Sequence, residues 1–544
     1  MHEITSQPLD LADYRQVRRV QGWPAINEQY QAYLRDESKL TSETCDYLFF
    51  PQNEAELAAV VREMASQGVP LTVAGARTGL VGGSVPLRGG LVSLERLNAV
   101  EALYYASYAR EWRVRAGCAV TLSDLNQMAM SKRFPDLERA GDQAVLAELA
   151  RYQAEPGDFF YPPDPTEMSA FLGGTVATNA SGARTYRYGA TRDWVRGLRV
   201  ILANGELLDI PRGKYFASSN GRFTIFDSQS QGRQVLVPDY SMPRTKNTSG
   251  FYAAPHMDLV DLFIGSEGML GIITTVDVAL CPRTPKCSLV QFTGSDEQAL
   301  DLVESLRGQD GLQLDFLEFY SQKAIELLRR RQAEEPVAMG MPPIPEDAGA
   351  AVFFELSFDP LAVDQDFSLL AQAVERVGLS LQNSWAGYEM RELARFKTFR
   401  HMLPETVNHL ISERKRQYPG LHKLGTDLAV PDDKLRPMWK VYQEALDQAG
   451  LEWLAFGHVG NNHVHINLIP RDMEDMQRGL ELYGRFAAQA VAFGGTVSAE
   501  HGIGKIKAKF LKEMFTEPQI AQMKAVKRAL DPQGLLNPGN IFLS

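Results

Sequence analysis

Three stretches of small residues, each set against an apolar strand-like run, restrict this chain more than any other feature. The first, Gly75-Ala76-Arg77-Thr78-Gly79-Leu80-Val81-Gly82-Gly83-Ser84, follows directly on Pro70-Leu71-Thr72-Val73-Ala74. The second opens at Tyr161-Pro162-Pro163-Asp164-Pro165-Thr166 and runs through Gly173-Gly174-Thr175-Val176-Ala177-Thr178-Asn179-Ala180-Ser181-Gly182 to Arg187-Tyr188-Gly189-Ala190-Thr191-Arg192-Asp193. The third is Phe263-Ile264-Gly265-Ser266-Glu267-Gly268-Met269-Leu270-Gly271-Ile272-Ile273. Glycine lets the backbone take positive φ and approach a ligand closely, so that consecutive N–H groups converge on phosphate oxygens. One such loop is a turn as readily as a cradle. Three together are how a chain wraps a large flat ligand, with backbone amides reaching ring heteroatoms and phosphates. The first loop is not a P-loop, because no Gly-Lys-Ser/Thr ends it and G-x-G-x-x-G is absent.

At 544 residues the chain exceeds one hydrophobic core, and about two to four domains are expected. A net charge of −11 argues against a nucleic-acid surface and leaves any anion to locally placed Lys or Arg. Cys45, Cys118, Cys281 and Cys287 form neither a disulfide framework nor a C-x-x-C-x-x-C run. The chain therefore carries no iron–sulfur cluster of its own, and its thiols read as inert. Met1-His2-Glu3-Ile4-Thr5 lacks the basic and apolar regions of a secretory signal, and no apolar run reaches membrane-spanning length. Cytoplasmic placement is the expectation, with peripheral contact to the inner membrane left open.

Local pattern supplies a coarse layout. Residues up to about Leu40 are polar and charged and read as a helical arm. Tyr47-Leu48-Phe49-Phe50 is a strand stopped by Pro51, and Asn53 caps a helix running to Ser66. Asp432 to Gly450 and Glu474 to Phe493 are amphipathic helices. Ala333 to Gly349, rich in Pro and Gly, is an irregular surface connector.

Between the two amphipathic helices lies Phe456-Gly457-His458-Val459-Gly460-Asn461-Asn462-His463-Val464-His465-Ile466-Asn467-Leu468. Val464, Ile466 and Leu468 alternate with His463, His465 and Asn467, the period of a half-buried strand. Gly460-Asn461-Asn462 is turn chemistry, so His458 closes one strand and His465 sits on the next. Such a hairpin brings two imidazoles to one ion, and Ser498-Ala499-Glu500-His501-Gly502-Ile503-Gly504 offers a carboxylate downstream. Two His and one carboxylate with an open position are the ligand set of a catalytic divalent metal. Histidines in strands are also common hydrogen-bonded structural residues, and this region alone leaves both readings open.

The three small-residue stretches resemble the pyrophosphate loop, the Pro-Pro-Asp-Pro and Ala-Thr-Asn blocks and the Gly-Ser-Glu-Gly block of the vanillyl-alcohol-oxidase/PCMH-type FAD flavoproteins. Within that superfamily the chain is most similar to the D-lactate dehydrogenase, glycolate oxidase subunit and D-2-hydroxyglutarate dehydrogenase group. The histidine stretch, Ser498 to Gly504, and the closing Leu530-Asp531-Pro532-Gln533-Gly534-Leu535-Leu536-Asn537-Pro538-Gly539 carry the same resemblance, which extends from about Cys45 to the end. It implies an α+β protein: a two-subdomain PCMH-type FAD-binding domain over residues 41–283 and an α+β cap with an antiparallel sheet over 284–500. Residues 501–544 would return to the flavin, behind an N-terminal arm of residues 1–40.

Carried over by position, the resemblance implies FAD contacts from Gly75, Ala76, Arg77, Thr78, Gly79, Gly82, Gly83 and Ser84. It adds Pro163, Asp164, Thr166, Gly173, Gly174, Ala177, Thr178, Asn179 and Gly182, then Glu267, Gly268 and Ile272, and finally Asn537. A covalent flavin link in the first loop is excluded, since the loop holds no histidine or cysteine. His458, His465 and Glu500 match the metal ligands, the ion being zinc or manganese, and His501 matches the general base. Asn467 and Arg400 match substrate contacts, Arg400 because a guanidinium pairs bidentately with a carboxylate. Lys423 is a second carboxylate candidate, its alignment offset by an insertion; His401 and His422 read as structural.

Two departures stand out. Where the family has Gly-Asp-Gly-Asn after the first metal histidine, this chain has Gly460-Asn461-Asn462-His463, and the role of His463 stays open. Residues 130–158 and 211–242 exceed the usual connections and read as inert insertions, with partner docking as the other reading. The function implied is oxidation of a D-2-hydroxy acid to the 2-oxo acid. Electrons would go to a separate quinone, cytochrome or iron–sulfur protein, and a homo-oligomer is expected. The alternatives are a flavin-dependent transferase of the alkylglycerone-phosphate synthase kind and a non-catalytic flavin subunit of a larger oxidase complex.

Overall fold

Tyr47–Phe50, Gly90–Ser93 and Leu71–Ala74 form a parallel core, and Arg18–Gln21 adds antiparallel at its edge. This computed structural model describes residues 3–11, 17–334 and 342–542. Parallel strands need a crossover, and the helix Glu54–Ser66 supplies it. Asn53 Oδ1 accepts the Glu56 N–H as N-cap, and Leu57, Val60, Val61 and Met64 bury one face, as their spacing dictates. The first small-residue loop therefore starts at the C-terminal end of Leu71–Ala74, where sheets of this kind present ligands. The far end of the chain borders the same strand. Leu71 N–H donates to Leu535 O and Asn537 N–H to Leu71 O, both at 2.8 Å.

A second, five-stranded sheet is antiparallel throughout, in the order Leu207–Pro211, Val195–Ile201, Ile272–Ala279, Glu111–Gly117, Val100–Ala106. Its central strand is buried at every residue, so the polar groups on it must be paired. Thr274 Oγ1 donates to Glu54 Oε1 at 2.6 Å, and Asp277 Oδ2 accepts from Tyr104 Oη and Arg115. The short helix Leu172–Ala177 of the second small-residue stretch packs against this sheet, with Gly173 N–H donating to Cys118 O. A Cβ at Gly173 would collide with Cys118 Cβ, whereas a Cβ at Gly174 meets nothing within 4 Å. Gly173→Ala is therefore expected to cost about 1–3 kcal/mol, read as a lower thermal midpoint, and Gly174→Ala should not lower it. Equal midpoints would show that the contact yields.

The third sheet is the expected antiparallel cap. Seven strands run in the order Ser384–Gly387, Lys286–Thr293, Ala350–Ser357, Leu314–Tyr320, Trp453–Gly457, His465–Leu468, Leu424–Gly425. The two amphipathic helices form as their periodicity predicts. Leu435–Ala449 ends on Gly450 at φ 60°, Met473–Ala492 is capped by Asp472, and Tyr442 meets Phe486 edge-on at 4.9 Å between centroids. The α+β architecture that the resemblance implied is the one observed.

One local expectation changes. Of the described arm, only Trp23–Gln29 is α-helical; Ile4–Thr5 and Arg18–Gln21 are strands, paired with Arg222–Phe226 and Tyr47–Phe50. The two insertions are folded. Pro135–Ala140 and Gln143–Ala154 are helices that bury Leu137, Leu149 and Tyr152. Arg222–Phe226 and Gly232–Leu236 form a hairpin that buries Phe223, Ile225 and Val235. Of the connector 333–349, residues 335–341 lie outside the described residues, and its remainder is tied down by Arg329 donating to Pro345 O and Ala348 O. No helix among the described residues is long and apolar enough to cross a membrane.

Candidate active site

The three small-residue stretches, separated by up to about two hundred residues in sequence, line one cleft. Its walls include Gly75, Ala76, Arg77, Thr78, Gly79, Gly83 and Ser84, then Thr166, Gly173, Gly174, Ala177 and Thr178, then Glu267, Gly268, Ile272 and Asn537. The cleft encloses about 270 Å³ and is open to solvent on one side, close to the lower bound of the ~300–1,000 Å³ of a ligand pocket. Ser181 Oγ and Asp36 Oδ2 are buried in its wall without a hydrogen-bond partner, as groups awaiting a polar ligand are.

Five residues given cofactor roles by resemblance do not line this cleft. Pro163 and Asp164 face a neighbouring cavity. Asn179, at φ 48°, accepts the Arg192 N–H, and a Cβ on Gly182 would collide with Asp164 O. Gly82 O accepts from Lys505. These build the walls. Asn537 locks the cleft from the far end of the chain, its Oδ1 accepting Val73 N–H at 2.7 Å and its Nδ2 donating to Glu267 O at 2.6 Å. Glu267 is wholly buried beside it and accepts N–H groups of Ile503 and Gly504. Burial pushes its pKa up to about 7 against those donors.

Glu500 and His501 also line the cleft, and behind them lie the cap histidines. The strand Trp453–Gly457 ends one residue before His458, and a 3-10 turn over Val459–Asn461 leads back into His465–Leu468. Gly457 at φ 133° lets the strand break here, since a Cβ would stand 2.8 Å from the His465 ring. His458 Nε2 and His465 Nε2 lie 3.4 and 3.3 Å from Glu500 Oε1. His463, in the turn rather than on the strand, joins them: one ligand atom from each of His458, His463, His465 and Glu500 lies within 4.8 Å of the others. The ring nitrogens away from Glu500 are held too, His458 Nδ1 3.1 Å from Glu318 Oε1 and His465 Nδ1 2.7 Å from Thr426 O. Oriented imidazoles around a buried carboxylate fit a divalent metal, and outer partners of this kind set tautomer and ring angle.

Several of those partners carry no motif of their own. Lys246, with its side chain 2% exposed, donates to Glu500 Oε2 at 2.6 Å and to Gly182 O at 3.0 Å. Burial pushes the Glu500 carboxyl up, but Lys246 and His458 outweigh it and hold it well below the usual range. Glu318 is held down at about 2 the same way, burial opposed by Arg400 and His458. Asp427, fully buried, accepts N–H groups of Ala499, Glu500 and His501, the Ser498 hydroxyl and Lys507 Nζ. It stands in Thr426-Asp427-Leu428-Ala429-Val430-Pro431, just past Lys423. His501 Nδ1 lies 3.4 Å from Asp427 Oδ2, and its ring stacks on His465 at 5.8 Å between centroids. Burial pushes the His501 pKa down to about 4, which keeps the ring neutral at pH 7.

The three substrate candidates separate. Arg400 joins the cluster through Glu318 Oε1, 2.9 Å from its Nη2 and 3.1 Å from its Nε. It also lines the neighbouring cavity, together with Asp164, Arg184 and Phe316; that cavity meets the cleft at Pro165 and Thr166. Asn467 is buried two residues past His465, its Nδ2 3.4 Å from His465 O. Lys423 lines neither cavity. His401 faces the neighbouring cavity and His422 is exposed.

Comparison with known proteins agrees with this geometry. A model described as "FAD binding domain" matches residues 45–140 and 139–211, and one described as "FAD linked oxidases, C-terminal domain" matches 283–541. The chain is 27% identical over 527 residues to a D-2-hydroxyglutarate dehydrogenase of Xanthomonas citri pv. viticola, covering 94% of this chain and 92% of that one. It is 28% identical over 502 residues to a D-lactate dehydrogenase of Anaerostipes hadrus, covering 89% and 87%. Among solved structures, an alkyldihydroxyacetonephosphate synthase superposes with a TM-score of 0.60 at 13% identity, covering 99% of this chain and 88% of that one, a likeness of fold alone. Both halves matched in order, and relatives aligned along nearly the whole of both chains, make this protein an FAD-linked oxidoreductase of the PCMH-type superfamily, related to the D-lactate and D-2-hydroxyglutarate dehydrogenases and glycolate oxidase subunits.

Proposed function

We propose that the chain oxidises a D-2-hydroxy acid to the corresponding 2-oxo acid. The observation that carries this reading is that the flavin-type cleft and the His–Glu cluster share a wall, made of Glu500 and His501. When bound, FAD supplies the hydride acceptor, and a divalent ion held by His458, His465 and Glu500 supplies the Lewis acid that acidifies the substrate hydroxyl.

The chain's own residues do the rest. His501, neutral and beside Asp427, takes the hydroxyl proton at a ring nitrogen. Arg400 has Nε and Nη2 engaged by Glu318, which leaves Nη1 for the C1 carboxylate and fixes the plane of the guanidinium. Asn467 stands beside His465 to orient the substrate, and Lys246 holds Glu500 against rotation. The relatives named for 2-hydroxy-acid oxidation support the substrate class. With no cluster-binding cysteine run in the chain, the electrons pass to a separate acceptor: a quinone, a cytochrome or an iron–sulfur protein.

The test is anaerobic bleaching of the bound flavin by D- and L-lactate, D-2-hydroxyglutarate, glycolate and longer D-hydroxy acids, before and after chelation. The expected result is bleaching by a D-acid that is lost with chelator and in His458→Ala. A yellow protein that none of these acids bleaches would sink the reading.

A further inference from the structure

We propose that His463 is a fourth protein ligand, so that this chain presents three imidazoles and one carboxylate to its metal. His463 is fully buried, its ring 4.3 Å from that of His465 and 5.5 Å from that of His458 between centroids. It belongs to the group whose ligand atoms lie within 4.8 Å of one another. The other two imidazoles share one pattern: Nδ1 on a protein oxygen, Nε2 toward Glu500. His463 reverses it, with Nε2 3.1 Å from Asp427 Oδ1, which leaves Nδ1 for the cluster.

A purely structural histidine would satisfy its nitrogens within the protein, and this one does not. Nδ1 has no hydrogen-bond partner, although the side chain is wholly buried, and Nε2 meets only Asp427 Oδ1. Leaving such a group unmet destabilises the folded protein. Nor does Asp427 need the imidazole. That carboxylate already accepts from Ser498, Ala499, Glu500, His501 and Lys507 without it. Coordination through Nδ1, with Nε2 directed at Asp427, resolves both facts and reproduces the carboxylate–histidine–metal arrangement.

Four protein ligands change which ion is useful. A tetrahedral zinc would be closed by them, and closed sites are structural. An ion that accepts five or six ligands keeps positions for the hydroxyl and carboxylate oxygens of a 2-hydroxy acid. The number of ligands therefore favours manganese or another five- or six-coordinate ion over a tetrahedral zinc. This consequence for substrate rests on the proposed function, but the ligation itself does not.

The deciding experiment needs no substrate and no turnover. Metal-free protein with its flavin in place is loaded with Mn²⁺, Co²⁺ or Zn²⁺ in turn, and the imidazoles around the ion are counted by X-ray absorption. Three are expected in the unmodified protein. His463→Asn should show two and retain the ion about 10–100-fold less tightly against a chelator. Two imidazoles in the unmodified protein, or a protein that takes up none of these ions, would overturn the assignment. If His463→Asn fails to fold, the count on the unmodified protein still decides. A hydroxy acid that fails to bleach the flavin leaves that count untouched, so the two proposals fail separately.

Discussion

Asp427→Ala is expected to lower stability by about 3–5 kcal/mol and to empty the metal centre. The aspartate is fully buried and paired with Lys507, whose side chain is 8% exposed. Burial alone would push its carboxyl up, yet the Lys507 ammonium and the His463 contact hold it well below the usual carboxylate range. Truncation strands a buried ammonium and frees the backbone of Ala499, Glu500 and His501 at once. Urea unfolding should show the loss directly. Lys507→Met in the Asp427→Ala background should restore part of it, because removing both charges costs less than removing one. Strictly additive effects of the two changes would show that the pair is not coupled, and would remove Asp427 from its place as the knot of the site.

His501→Gln is expected to leave flavin and metal in place and to lower turnover by about 10²–10⁴-fold, the usual contribution of a positioned base. His501 differs from its neighbours in placement. Its Nε2 lies 3.8 Å from Glu500 Oε1, further than those of His458 and His465, and the residue forms part of the cleft wall. A base lost from the reacting geometry should appear mainly in kcat, with KM little changed. The comparison is made on protein whose metal content has been measured. A parallel loss of metal would make His501 a ligand rather than the base, and a fall of less than tenfold would leave the proton to another group.

Much of the fold follows from local pattern. Asn53 caps the helix its sequence marks, the two amphipathic helices run where their period puts them, and three small-residue stretches mark the ligand cleft before any strand is placed. The spacing of His458 and His465 around turn residues suffices to suggest one ion, because a hairpin is itself a local object. Local pattern fails where a residue acts through a distant partner. Lys246 and Glu500 stand 254 positions apart, and Glu318 meets Arg400 across 82. Neither lysine nor glutamate carries a period or a turn preference that would reveal such pairing. The same limit explains the insertions. Tyr152 and Phe223 sit in stretches marked only by their extra length, and only the packed neighbours show them to be core. It explains His463 as well. Alternation puts it on a strand beside His465, whereas the chain turns at that point and aims a wholly buried ring at the cluster. Residue identity and spacing thus determined the kind of ligands this protein can hold. Which side chains meet around them was decided by long-range packing, since burial and ion pairing depend on neighbours that sequence distance does not encode.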